Sequence, residues 1–264
     1  MTNKSMLFLA TVGIAMAAPA WAESPFDGTW KADVKSTQLE EKPSIYELKN
    51  GVYSCKSCVP TAVSVKADGE YHAVSGQAYY DAMAVKVVDD RTVKTMRRKG
   101  GKFVGESTTE LSPDGKTVTF SWNNINPDGS NVSGKGWQKR LSDAPAGAHG
   151  ISGSWLTTGY DNVSDNGVTM TLRVDGDMLH LKTPAGESYA AKFGGPEVPV
   201  AGDDGGTKVR VRWVDASTIE EVNLRDGKVV GVTTMAIEPD GKTMNAVYEN
   251  KQRDTKMMYK AHKQ

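Results

Sequence analysis

An internal duplication constrains the fold of this chain more than any other feature of its 264 residues. Phe26-Asp27-Gly28-Thr29-Trp30 recurs as Ile151-Ser152-Gly153-Ser154-Trp155, an offset of 125 (Trp30 to Trp155). Gly101-Lys102-Phe103-Val104-Gly105 recurs as Gly227-Lys228-Val229-Val230-Gly231, and Pro113-Asp114-Gly115-Lys116-Thr117 as Pro239-Asp240-Gly241-Lys242-Thr243, both at an offset of 126 (Gly101 to Gly227). Blocks that keep one order at a nearly constant offset define two copies of one unit. Asp68-Gly69-Glu70 aligns with Ala185-Gly186-Glu187, only 117 residues on. The first copy therefore carries an insertion around Cys55 to Pro60, and the second carries one around Pro196 to Gly206.

Within each copy the apolar residues alternate with polar ones. Val118, Phe120 and Trp122 share one face, and so do Val209, Val211 and Trp213. Period-two alternation predicts strands with one buried face. Asn50-Gly51, Asp68-Gly69, Gly100-Gly101, Asp114-Gly115, Asp175-Gly176, Asp226-Gly227 and Asp240-Gly241 supply the positive φ that tight hairpins need. A helix is expected only over 34–41, stopped by Pro43. The expected fold class is all-β, with two tandem antiparallel meanders that hide their edges by closing into barrels. The first barrel is assigned to 23–141 and the second to 151–264. Residues 142–150, small and without periodicity, read as the linker. The turn at Leu111 to Thr117 also resembles those of β-propeller blades, but a propeller repeats near every ~42 residues, and this turn occurs once per copy.

The N-terminus reads as an export signal. Lys4 precedes an apolar run from Met6 to Ala18, and Ala20-Trp21-Ala22 offers a cleavage site, so 1–22 is expected to be removed. The apolar run is too short for the ~20 residues that span a bilayer. Its alanine-rich character points to a bacterial, periplasmic or secreted protein, in which the sequons at Asn131 and Asn162 would carry no glycan. Lys plus Arg and Asp plus Glu both number 32, which argues against nucleic acid as a partner and against a membrane surface. Arg97-Arg98-Lys99, the densest basic run, reads as the solvated end of a strand.

Gly28-Thr29-Trp30 and Gly153-Ser154-Trp155 each open the first strand of a copy. This Gly-x-Trp resembles the lipocalin and wider calycin pattern, in which the tryptophan closes the floor of a small barrel under a cavity for apolar molecules. The resemblance also implies a basic residue packed on the tryptophan. Arg140, in the last strand of the first copy, takes that place, with a counterpart near Lys260. The sequence departs from the family in lacking a Thr-Asp-Tyr motif and a C-terminal helix. The resemblance implies a ligand-binding role for Trp30 and Trp155. Trp122 and Tyr248, equivalent at an offset of 126 (122 to 248), join them as expected lining aromatics. A barrel of about eight strands can instead be filled by its own side chains, which would leave a scaffold that presents loops.

Cys55 and Cys58 are the only cysteines and have no partner in the second copy. A structural disulfide suits an exported chain. A redox-active pair would want a helix N-terminus to lower a thiol pKa, and half a zinc site would want a second pair of ligands. His72, His149, His180 and His262 are scattered. No catalytic set, metal site or cofactor is expected, and the chain reads as a non-enzyme.

Overall fold

The computed structural model describes residues 24–264, so the expected signal peptide over 1–22 lies outside the described residues. The chain is all-β. Its strands are, in order, β1 (Gly28–Glu40), β2 (Ser44–Lys49), β3 (Val52–Cys55), β4 (Val63–Lys66), β5 (Tyr71–Ala73), β6 (Ala82–Val87) and β7 (Thr92–Lys99). There follow β8 (Lys102–Leu111), β9 (Thr117–Ile125), β10 (Asn131–Ser142), β11 (Gly153–Asp161), β12 (Thr169–Asp175), β13 (Met178–Lys182) and β14 (Ser188–Lys192). The last are β15 (Val198–Pro199), β16 (Lys208–Asp215), β17 (Thr218–Arg225), β18 (Lys228–Ile237), β19 (Thr243–Asn250) and β20 (Thr255–Lys263). A single 3-10 turn, Asp165–Gly167, is the one helical element among the described residues.

The strands form two antiparallel sheets of ten, each curled until its edges almost meet. The first runs β4-β3-β2-β11-β10-β9-β8-β7-β6-β5 and the second β14-β13-β12-β1-β20-β19-β18-β17-β16-β15. Beyond β4, Gly69 N–H donates to Val85 O of β6 at 2.8 Å. In the second barrel Gly194 N–H donates to Val211 O at 2.8 Å, and Ser188 and Ala201 exchange two bonds of 2.9 Å. These contacts satisfy much of the edge that an open sheet would present.

The turns explain the meander. Asn50-Gly51 (φ 52° and 73°), Gly100-Gly101 (53° and 79°) and Asp226-Gly227 (50° and 73°) put two successive residues at positive φ. That is the type I′ geometry whose twist matches the flanking strands. The two Pro-Asp-Gly-Lys-Thr loops are also superposable in their bonding. Ser112 N–H donates to Thr117 O, and Glu238 N–H donates to Thr243 O.

The sheets are not the two sequence copies. β1 pairs with β12 and β20, while β11 pairs with β2 and β10. Each barrel takes its first strand from the other copy, so the first barrel is the continuous segment 44–161 and the second combines 28–40 with 169–263. The cores divide the same way. Trp155 packs with Leu48, Val65, Val85 and Val118, whereas Trp30 packs with Leu172, Leu179, Val209 and Met244. The division at 23–141 and 151–264 is therefore crossed by the chain, and 142–150 is a hairpin loop inside the first barrel. Proximity along the chain explains this outcome. β11 leaves β10 through a short connection and folds back beside it, and β1 fills the vacated place between β12 and β20.

No helix forms over 34–41. Residues 34–40 stay in β1, with Gln38, Leu39 and Glu40 paired to β20 beyond a register shift between Asp33 and Gln38. Cross-strand pairing outweighs local helix preference there.

Candidate ligand cavity

The two Gly-x-Trp segments build the same corner. Trp30 Nε1 donates to Phe26 O at 2.8 Å, and Trp155 Nε1 donates to Ile151 O at 2.9 Å. Both indoles are fully buried. The glycines hold φ of 128° (Gly28) and 125° (Gly153), a region that side chains disfavour. A Cβ on Gly153 would meet Ser142 O at 2.5 Å and the Arg140 guanidinium at 3.0 Å, and one on Gly28 would meet Lys263 Cε at 2.9 Å. The glycine therefore makes room for a cation. Arg140 lies 4.1 Å over the Trp155 ring, and Lys263 Nζ lies 5.4 Å over that of Trp30. The cation partner in the second barrel is Lys263 rather than Lys260, because register sets Trp30 opposite Lys263 and Asp33 opposite Lys260. Each tryptophan meets a cation from the other copy, as the strand exchange requires.

A cavity of about 570 Å3 lies beyond Trp30 and is walled by both barrels. The second barrel contributes Trp30, Met170, Met257 and Tyr259, and the first contributes Trp122 and Tyr160. Trp122 is held by glycine. A Cβ on Gly134 would come within 2.4 Å of its ring, and Gly136 stands in the same relation to Phe120. Tyr160 meets Trp122 edge-on, with ring centroids 6.0 Å apart, a favoured aromatic geometry. Burial pushes the Tyr160 hydroxyl up to about 12, so it stays protonated and can donate.

A smaller cavity of about 300 Å3 opens at the mouth of the first barrel. Asn124, Asn126 and Glu187 line both spaces, so the two adjoin. The insertion of the second copy covers this mouth. Asp203 accepts from Tyr79 Oη at 3.0 Å, and Arg225 Nη2 donates to the same hydroxyl at 2.7 Å. Arg97 lines this cavity, and its reading as part of a solvated strand end is corrected here. Burial depresses its guanidinium below the ordinary arginine value. Arg98, its neighbour, does face outward, 3.8 Å over the Tyr71 ring. Alternation is the missed signal: Val93, Thr95 and Arg97 share one face of β7, and Val93 is buried. In the second barrel the inward polar group is acidic. Glu221 accepts from Tyr189 Oη and from Asn223 Nδ2, and burial raises its carboxyl.

Among the expected lining aromatics, Trp30 and Trp122, both of the first copy, share the larger cavity although they stand in different barrels. Trp155 is sealed in the core beneath Arg140, outside that wall. Tyr248 packs over Gly231, where a Cβ would approach its ring to 2.8 Å. Cys55 and Cys58 form a disulfide between the end of β3 and the loop that leads to β4. No protein-family model and no curated protein matches the chain.

Proposed function

We propose that the protein is an exported periplasmic protein that binds a small, partly apolar ligand in the cavity shared by its two barrels. The carrying observation is that cavity: about 570 Å3, within the range of small-molecule sites, and walled by Trp30, Met170, Met257, Tyr259, Trp122 and Tyr160. Space of this size favours binding over a scaffold that only presents loops. Burying about 300 Å2 of apolar ligand surface would contribute roughly 7 kcal/mol before ordering costs. The resemblance to lipocalins supports the reading, since both barrels pack a cation on the tryptophan of a Gly-x-Trp corner. The Cys55–Cys58 disulfide supports an oxidising compartment.

Titration with N-phenylnaphthylamine, a neutral apolar probe, tests the proposal. Saturable quenching of tryptophan fluorescence is expected, with Trp122→Ala weakening the probe about tenfold through loss of one aromatic wall. Binding no tighter than about 1 mM, equivalent to about 4 kcal/mol, would return the protein to the scaffold reading.

A further inference from the structure

Arg97 carries a positive charge into the first barrel without an acid to meet it. Its Nη2 donates to Asn124 Oδ1 at 2.9 Å, its Nε is buried with no partner, and its guanidinium lies 6.0 Å from the centre of the Tyr80 ring. Among the described residues no carboxylate lies within 4.0 Å of it. A buried charged donor left unsatisfied costs free energy, and folded proteins retain few of them. A guanidinium presents five N–H groups and accepts nothing, so Nε calls for an acceptor, and its uncompensated charge favours an anionic one.

Position decides what kind of anion. Arg97 lines the smaller cavity, which adjoins the larger at Asn124, Asn126 and Glu187. Asp203, Asp204 and Glu187 line the same cavity, so a dianion such as a phosphate monoester would be repelled more strongly than a single charge. The planar guanidinium matches a planar carboxylate. The position 126 residues on from Arg97 is Asn223; Arg225 of the second barrel also has a buried Nε without a partner, but its Nη2 is taken up by Tyr79 and Thr207 and it does not line the cavity. We infer that the ligand is an elongated monocarboxylate, its carboxylate received by Arg97 and its apolar body extending toward Trp30, Met170 and Met257. The inference rests on the binding reading above and adds a charge and a direction to the ligand.

Parinaric acid and its methyl ester, fluorescent chains that differ only in the charge, separate the two readings on the full mature chain. The acid is expected to bind about tenfold more tightly than the ester, as a buried ion pair commonly allows. Arg97→Gln should bring the acid down to the ester's affinity and leave the ester unchanged, while Arg97→Lys should restore part of the difference. Equal binding of acid and ester by the wild-type chain overturns the assignment of Arg97 and leaves apolar binding standing, and so does an Arg97→Gln chain that keeps the full preference for the acid. Failure of both probes to bind overturns the binding reading and this inference with it.

Discussion

Glu221 is the residue at which pH should enter the stability of the second barrel. Its carboxylate accepts from Tyr189 and Asn223. Those bonds favour the charged form, but burial is the larger effect and raises the carboxyl above 4.5. The surrounding groups do not offset it. Tyr189 and Tyr259 are themselves pushed up by burial and then by the Glu221 charge, and Glu187 is raised by burial, Asp203 and Glu221. A raised acid keeps its proton in the folded chain at a pH where the unfolded chain has released it. Stability is then lost as pH rises from the ordinary carboxylate value through the raised folded value. Glu221→Gln keeps an acceptor for Tyr189 and removes the titration. Thermal melts at about pH 4 and about pH 7 should show the variant gaining on the wild-type protein at the higher pH. An identical pH slope in both would mean that Glu221 ionises freely in the folded chain.

At the scale of elements, the join between β10 and β11 depends on Arg140. Its Nε donates to Gly115 O at 2.6 Å, Nη1 to Ser152 O at 2.9 Å and Nη2 to Gly150 O at 2.6 Å. One side chain thus ties the Pro-Asp-Gly-Lys-Thr loop to the hairpin that returns the chain into the first barrel. Arg140→Ala should cost roughly 2–3 kcal/mol, since three carbonyls lose a charged donor and Trp155 loses its cover. Arg140→Lys should recover little, because one ammonium cannot reach the three carbonyls that a planar fork spans. Urea unfolding measures both, and a change within about 0.5 kcal/mol, as at an ordinary surface position, would remove Arg140 from this role. Lys263 makes one long contact, to Pro25 O at 3.4 Å, so Lys263→Ala should cost less.

For the whole molecule, strand exchange determines which pieces can stand alone. Residues 44–161 contain β2 through β11, every strand of the first barrel, together with its core and its disulfide. This fragment should fold by itself, with β-rich circular dichroism and a single cooperative melt. Residues 169–264 lack β1, which leaves one edge of β12 and one edge of β20 unpaired and removes Trp30 from the core. They should fold only when a peptide covering 24–41 is supplied. Cutting at 145–150 breaks the first barrel, so those halves should be less stable than 44–161. Half-chains that melt higher than 44–161 would show that each copy closes its own barrel in solution.

Much of this architecture was legible because it depends on short-range rules. Alternation gave the strands their faces, paired positive-φ residues located the hairpins, and the repeat showed that two similar units had to form. The Gly-x-Trp corner could be found because a positive φ and the close approach of a cation leave room for glycine alone at Gly28 and Gly153. The partner of each first strand could not be read in the same way. β1 and β11 are similar enough to fill either barrel, and only the short β10–β11 connection, set against the distance from β1 to β10 along the chain, separates the two pairings. Arg97 and Glu221 were hidden for a related reason. A charged residue reads as solvated until three-dimensional neighbours show which face of its strand is enclosed. The sequence by itself determined two β units and their corners; tertiary structure alone decided which strands close which barrel and where the enclosed charges lie, because long-range pairing is settled by connection lengths and packing that no local pattern records.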